Sequence, residues 1–454
     1  MSASSVGFWS VPTEIAEQAL VLCHPRDIAS FAQTCRAAWS LTNDAADQYL
    51  WRHLFLLFPF DDPRKTRQGF REDIQFDWRT ELQHRVRAEL IARSGQPTSE
   101  DLHAALVTLL DVARSAPPVM QGCEFVPSFS LLWVTDVLTS TNMLQAPYFT
   151  QRPTCQKLAR LRSYLALTLD KYDDEEGKSR MKSMRTRSRC RVYDLSQYNR
   201  DNDWGPFMRK TGEVDWSHIE CIVNVITCNL MDHTRHFGDT RPPCSLEATR
   251  AYSAPHANAL ALHDWAGVEG NWRRIVSFMD YRDLFAFNFS TRGHVDIAQG
   301  RSIFEDPQFS EATRLIELKL HLTSPDAVPK YYTLDRFPQS EDTKYPTLYF
   351  SGSSHGIQGR EATIVGSVYM GNDGVVRWRF VSLLFSEGVQ IGGIASAMGV
   401  VGAWAGAHRE RGRSPNIYNG NTDLHSESAC LSGDPAGPFW LGKYQMVTQP
   451  LSEH

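Results

Sequence analysis

The chain has 454 residues and a formal net charge of -5, with 42% hydrophobic and 11% aromatic residues. This length allows two or three domains, and the composition is that of a globular protein and excludes a largely disordered one. The small net charge neither favours nor excludes a highly charged partner.

Cysteine usage and hydropathy indicate a reducing compartment. The nine cysteines are odd in number and contain no Cys-x-x-Cys pair, so neither a disulfide framework nor a zinc ribbon is predicted. No basic start followed by an apolar run indicates a signal peptide, and no apolar run of about 18 residues indicates a membrane span. We therefore expect a protein of the cytoplasm, the nucleus or both, with no membrane partner.

The first 57 residues are expected to form three short helices. Pro12 suits the first turn of a helix, and apolar residues then recur at helical spacing until His24-Pro25 interrupts the pattern. Asp27 is a plausible N-cap for a second helix, and a third apolar segment begins at Tyr49. Three short helices cannot bury all these apolar side chains against one another, so part of the surface should face a partner.

This stretch resembles the F-box, which we assign to residues 8–57. The family pattern is matched, without a gap, by Pro12, Glu14, Ile15, Pro25, Asp27, Ile28, Phe31, Cys35, Arg36, Leu50 and Trp51. Val11 stands in place of the usual leucine, and Ala19 in place of a usual isoleucine. The resemblance implies docking to the Skp adaptor and, through it, to a cullin. The adaptor-binding residues that it implies are Pro12, Ile15, Leu20, Ile28, Phe31, Cys35, Leu50 and Trp51.

The middle of the chain is predicted to be helical. Helically spaced apolar residues over 77–91, 100–113, 129–144 and 155–169 indicate a helical linker region within 64–170. Residues 171–191 then run from acidic to basic and are expected to form a charged loop that could be disordered. Its basic part could hold phosphates or serve as an import signal. It contains no aromatic residue on which bases could stack, so no nucleic-acid partner is expected.

Residues 192–446 are predicted to form a mainly-β domain. Short aromatic and β-branched runs separated by glycines follow His263, and Asn372-Asp373-Gly374 is typical of a hairpin turn. This pattern favours an antiparallel barrel or sandwich, and the whole chain is expected to be α+β. Gly270-Asn271-Trp272 is similar to the opening of lipocalin-like barrels, with Arg273, Arg377 or Arg379 as candidates to stack on the tryptophan.

The C-terminal half resembles the domain that follows the F-box in many fungal F-box proteins. The likeness rests on Gly267–Arg274, Asp280–Asn288, Gly374–Phe380, Ser386–Gly393 and Gly437–Trp440. The layout is also similar to that of the animal F-box receptor that degrades cyclin D. These resemblances imply a barrel mouth that holds a protein substrate, which the sequence does not identify. The candidate residues are Trp272, Arg377, Trp378, Arg379, Glu387, Gln390, Trp404 and Trp440.

The function expected from these patterns is that of a non-catalytic substrate receptor in an SCF-type ubiquitin ligase. The alternative is a small-ligand-binding β-barrel that uses the adaptor outside a ligase. A hydrolase would need Ser353 and His355 to converge with an orienting group. The irregular spacing of Cys221, Cys228 and neighbouring histidines argues against zinc, so no metal, cofactor or catalytic residue is predicted.

Overall fold

The fold is described from a computed structural model. The residues that the structure describes are 9, 11–44, 48–63, 76–95, 97–120, 125–145, 152–170, 173–237, 240–253, 263–289, 303–306, 308–327, 344–356, 361–382, 385–405 and 436–444. The chain divides into two compact units. The first contains residues 1–118 and 124–158, and the second contains residues 119–123 and 159–454.

The described part of residues 1–57 forms four helices, where three were expected. They are α1 Thr13–Val21, α2 Pro25–Ala32, α3 Arg36–Asn43 and α4 Tyr49–Leu57. The expected second helix is divided because Cys35 is extended and its Sγ accepts the backbone N–H of Ala38, at 3.4 Å, as an N-cap. At the start of α2, Pro25 occupies the first turn and His24 Nδ1 accepts the N–H of Arg26.

Three further helices of the first unit agree with the predicted segments. They are α5 Trp78–Arg93, α6 Ser99–Arg114 and α7 Phe129–Thr139. Arg85 of α5 is buried beside two aromatic rings, with its guanidinium carbon 4.8 Å from the ring centroid of Phe55 and 4.6 Å from that of Phe60. It also donates to Glu81 and Ser130. Phe60, which follows α4, is therefore part of the packed core of this unit.

The stretch expected to be a charged loop is a helix. The remaining helices of the described residues are α8 Arg152–Leu165, α9 Glu175–Val192, α10 Trp216–Asp232, α11 Thr234–Phe237 and α12 Tyr281–Phe289. In α9, Asp174 caps the first turn by accepting the N–H of Gly177 at 2.7 Å. Glu176 and Arg180 form an i,i+4 pair at 2.8 Å. The prediction failed because α9 has polar residues on all faces and therefore no apolar periodicity.

Basic residues of α9 are held by carboxylates of the second unit. Arg189 donates to Glu311 at 2.9 Å and 2.6 Å, and the hydroxyl of Tyr193 donates to the same carboxylate at 2.7 Å. Arg191 pairs with Asp215 at 2.7 Å. These bonds are charge-assisted and largely shielded from water, which strengthens them relative to surface ion pairs.

The sheet of the second unit closes into an eight-stranded antiparallel barrel, which decides between barrel and sandwich. A separate two-stranded parallel sheet pairs β1 Val119–Met120 with β2 Tyr252–Ser253. The barrel strands are β3 Gly270–Met279, β4 Glu311–Thr323, β5 Leu348–Gly356, β6 Glu361–Met370, β7 Val376–Val381, β8 Phe385–Gln390, β9 Val400–Ala405 and β10 Ala436–Lys443. Neighbours in sequence pair in space, and β10 closes the ring on β3.

The strands expected after His263 are present as β3 to β10, and residues 391–394 lie in the turn after β8. The hairpin at Asn372-Asp373-Gly374 is present, with Gly374 at φ +70° and Gly371 donating to Val375 at 2.9 Å. The glycine-, serine- and asparagine-rich sequence over 405–434 lies outside the described residues after Ala405. Within the described residues, no helix is both long and apolar enough to span a membrane.

Aromatic side chains line the barrel interior. The rings of Trp272 and Trp378 lie 5.2 Å apart, and those of Phe380 and Phe439 lie 5.5 Å apart. On the outside, α10 packs against β3, β9 and β10 and is buried along most of its length. The amide of Asn229 on α10 donates to Ser277 of β3 at 3.1 Å. This arrangement gives the unit a core on both sides of the sheet.

His218 provides a test of the packing of α10. Burial, followed by the positive charge of Arg191, lowers the pKa of His218 to about 3, below its value of about 6.5 in an unfolded chain. Between pH 7 and pH 5 the unfolded chain takes up a proton that the folded chain does not. The free energy of unfolding should therefore fall by about 2 kcal/mol from this residue alone.

We predict that His218→Gln removes about 2 kcal/mol of this pH dependence, measured by urea unfolding at pH 7 and pH 5. His321→Gln is the control, because His321 is exposed on β4. Equal pH dependence in wild type and His218→Gln would show that His218 is protonated as readily in the folded chain as in the unfolded one.

Candidate functional site

An apolar stripe on α1 faces solvent. Ile15 is 52% exposed and Leu22 is 85% exposed, and Ala19 lies between them on the same face and is also exposed. The opposite face, with Ala16 and Leu20, packs into the first unit. The first unit covers only one of the two apolar faces of this short helix. The exposed stripe is therefore a candidate surface for a partner.

Other exposed apolar side chains belong to the same N-terminal segment. They are Trp9, Trp39, Leu56 and Leu57. Trp9 stacks on Phe31 with ring centroids 6.0 Å apart. Arg79 of α5 lies with its guanidinium carbon 5.9 Å from the ring of Trp39. None of these side chains, nor Leu22, was among the adaptor-binding residues implied by the resemblance. Leu22 and Leu57 follow the helical spacing and could have been found from it.

The eight residues implied to contact the adaptor divide into two groups. Leu20, Ile28, Leu50 and Trp51 are buried, and the indole N–H of Trp51 donates to the carbonyl of Thr42 at 2.7 Å. These four hold the helices together and present no free side chain to a partner in this arrangement. Pro12, Ile15 and Cys35 are exposed and Phe31 is half-buried, so these four can be reached from outside.

The eight residues expected at one barrel mouth do not lie together. Alternation along the strands places four inside the barrel and four on its outer wall. The inward-facing residues are Trp272, Trp378, Gln390 and Trp404, and the outward-facing ones are Arg377, Arg379, Glu387 and Trp440. The prediction of a shared mouth was wrong because it did not use the register that assigns each residue to a face.

The outward-facing arginines bind segments packed on the barrel wall. Arg377 pairs with Asp373 at 2.9 Å and donates to the carbonyl of Gly212 at 2.6 Å. Arg379 pairs with Glu387 and lies 3.6 Å from Asp203. The nearby indole of Trp440 is fully buried and donates to Met398 at 2.6 Å. These contacts are structural and leave no open groove at these residues.

The cation over Trp272 is a lysine and not one of the predicted arginines. Lys443 Nζ lies 5.6 Å from the ring centroid of Trp272. Arg273 lies instead over Tyr444, and Arg377 over Phe207. Trp272 donates its indole N–H to the carbonyl of Val268 at 2.8 Å. The tryptophan is thus a core residue near one end of the barrel, as a packing role requires.

The described residues do not assemble the hydrolase arrangement. Ser353 and His355 lie two positions apart on β5 and form no hydrogen bond with each other among the described residues. His355 is exposed and lies 3.6 Å from Glu361. Ser351 instead contacts His321 at 2.9 Å on the exposed wall. Likewise, no group of three or more potential ligands that could hold a metal ion occurs in the part of the chain that is described.

Sequence analysis missed a charged residue inside the barrel. Arg274 of β3 faces inward beside Phe380 and Phe439, whose ring centroids lie 5.0 Å and 4.7 Å from its guanidinium carbon. Its Nη2 donates to Ser386 Oγ at 2.7 Å. Desolvation by burial lowers the pKa of Arg274 to about 9. The only sequence signal was strand alternation around Trp272, which puts position 274 on the same face.

Comparison with known proteins adds no relative. No protein-family model matches the chain, and neither does any curated protein or solved structure. The two candidate sites, the exposed stripe of α1 and the interior of the barrel, therefore have to be interpreted from their own chemistry.

The buried and the exposed residues among the eight implied adaptor contacts should differ in how strongly an introduced carboxylate lowers the free energy of unfolding. Ile28 has no exposed surface, so Ile28→Asp should lower the free energy of unfolding by roughly 3 kcal/mol or more, because it buries an unpaired carboxylate. Ile15→Asp should change it by less than about 0.5 kcal/mol, because the new carboxylate remains in water. Thermal unfolding followed by circular dichroism compares them. Equal destabilisation would contradict the assignment of the exposed face.

Proposed function

We propose that this chain is the substrate-recognition subunit of an SCF-type cullin–RING ubiquitin ligase. Residues 8–57 would dock the Skp adaptor, and through it a cullin, while the C-terminal β domain captures a protein target in the cytoplasm or the nucleus. The observation that carries the proposal is the exposed apolar stripe of Ile15, Ala19 and Leu22, which lies within the segment that resembles the F-box.

The physical basis for docking is burial of this stripe. Transfer of apolar surface from water into an interface contributes roughly 25 cal/mol per Å², so an exposed isoleucine and leucine on one helix face can act as central contacts. Pro12, Phe31 and Cys35 are accessible in the same segment. Leu20, Ile28, Leu50 and Trp51 support the helices from inside, and we assign them an indirect role in binding.

The chain would perform no bond chemistry in this function. A receptor raises the local concentration of target lysines near a ubiquitin-loaded conjugating enzyme, and the gain is one of proximity. The β domain is suited to a rigid platform because its barrel is closed and packed on the outside by α10. Target capture is assigned to this domain as a whole, since the eight residues expected at one mouth face opposite sides of the barrel wall.

The test is direct binding of the purified full-length chain to the purified Skp adaptor. The Ile15→Asp, Leu22→Asp double variant should fold like the wild type and lose at least roughly 100-fold in affinity, because each carboxylate would be desolvated in an apolar interface. Leu132→Asp is the matched control, since Leu132 is an exposed leucine of α7 in the same unit. It should bind like the wild type.

Two outcomes would contradict the proposal. Absence of binding by the folded wild-type chain would remove the adaptor as a partner. Equal binding by the wild type and the double variant would place any adaptor contact away from α1. Calorimetry gives the affinities, and circular dichroism shows whether each variant is folded.

The alternative function, a small-ligand-binding barrel, is favoured by one observation, the buried guanidinium of Arg274. This alternative is compatible with adaptor binding, because the two sites belong to different units of the chain.

A further inference from the structure

Arg274 is buried in the barrel, and the described residues supply no counter-ion for it. The residue is 5% exposed, and its register partners Ile316 and Leu441 place it on the inner face. Its Nη2 donates to Ser386, whereas its Nε has no hydrogen-bond acceptor among the described residues. An ionised group buried without its opposite charge is costly, and proteins usually supply a partner.

On the described strands, all charged residues that face into the barrel are cations. Four carboxylates lie on the described strands, and each is at an outward-facing position. They are Glu311, Glu317, Glu361 and Glu387. Inward-facing positions instead hold three cations, Arg274, Arg314 and Lys443. Lys443 lies at the end of the barrel where β10 ends and donates to Gly267 at 3.1 Å. Arg274 lies further inside the barrel, and its Nε has no comparable acceptor among the described residues.

A second unpartnered donor lies towards the opposite end. The indole Nε1 of Trp404 is buried and has no acceptor among the described residues, and its ring lies 6.4 Å from that of Phe278. Arg314, the cross-strand partner of Val276, is exposed at this end with its guanidinium carbon 4.9 Å from the Phe278 ring. Between Arg274 and this end the inner face thus presents N–H donors and apolar surface.

These features together specify a ligand chemistry. A carboxylate can accept two parallel N–H bonds from a guanidinium and brings one negative charge to match one buried cation. Phosphate carries more charge and more bound water, which makes it a poorer match for a site with phenylalanine and tryptophan walls. The apolar part of a ligand would be covered by side chains such as Val276 and Phe278, which follow Arg274 along β3.

We propose that the interior of the barrel binds a small monocarboxylic acid with an apolar body, its carboxylate paired with Arg274. This function goes beyond recognition of a protein target and does not depend on adaptor binding. The acid would fill the acceptor position at Arg274 Nε, and its apolar body would extend towards Trp404 and Arg314.

The test measures binding of hexanoate to the full-length chain by calorimetry at pH 7, with 1-hexanol and inorganic phosphate as comparison ligands. Hexanoate should bind the wild type at least about 30-fold more tightly than hexanol, because only hexanoate carries a negative charge that can pair with the Arg274 guanidinium. Phosphate should not compete with it. This comparison uses the wild-type chain alone, so it decides the matter even if a variant fails to fold.

Variants locate the site. Arg274→Met removes the charge and keeps an unbranched side chain, so it should lose the preference for hexanoate over hexanol. Arg273→Met is the matched control, because Arg273 directly precedes Arg274 on β3 and faces outward opposite Glu317. It should bind hexanoate like the wild type.

Several results would overturn the proposal. These are equal binding of hexanoate and hexanol, no binding of hexanoate at millimolar concentration, or unchanged hexanoate binding by folded Arg274→Met. Binding of phosphate in place of hexanoate would overturn the assignment to a carboxylate. A lower melting temperature for Arg274→Met, with no hexanoate binding by the wild type, would make Arg274 a structural residue held by the two phenylalanine rings.

Discussion

Closure of the barrel by the pairing of β10 with β3 is the constraint on which the second unit depends. The pairing joins Phe439 to Val276 and Leu441 to Arg274, so the first and last strands satisfy each other's backbone groups and no edge of the sheet stays open. The register of this pairing also fixes which side chains face inward, because a shift of one residue would move every inward-facing side chain to the outer face. Arg274 is therefore held inside although its charge would favour water.

The same constraint explains how charges are distributed over the unit. Carboxylates on the strands face outward, where Glu311 receives Arg189 and Tyr193, and Glu387 receives Arg379. The bonds to Glu311 attach the end of α9 to the barrel wall. Other basic side chains of α9 pair with Asp232 and Asp215, or with Glu175 and Glu176 of the same helix. Of the charged residues on the described strands, only cations face inward. The anionic ligand that we propose would supply the opposite charge.

Much of the fold follows from local patterns in the sequence, and the parts that do not are non-local. The helices around Leu82, Leu106 and Ile219 and most strands were predictable because their apolar spacing is regular. Helix α9 was not, because its stability comes from its cap and from ion pairs with distant residues such as Glu311. Periodicity identified the apolar residues of α1 but not which face is covered, so buried Leu20 and exposed Leu22 had the same signal. The placement of Trp378 and Arg379 on opposite faces of the sheet could not be predicted either, because it depends on the pairing register of β7 with its neighbours.

The central claim of this account is that the exposed face of the N-terminal helices is a docking surface for the Skp adaptor. Hydrogen–deuterium exchange of the full-length chain, with and without saturating adaptor, tests it most directly because every segment reports separately. The account predicts slower exchange in α1 to α4, centred on the helix that carries Ile15 and Leu22, and unchanged exchange in the barrel strands. Unchanged exchange over residues 13–57, or protection confined to the barrel, would contradict it.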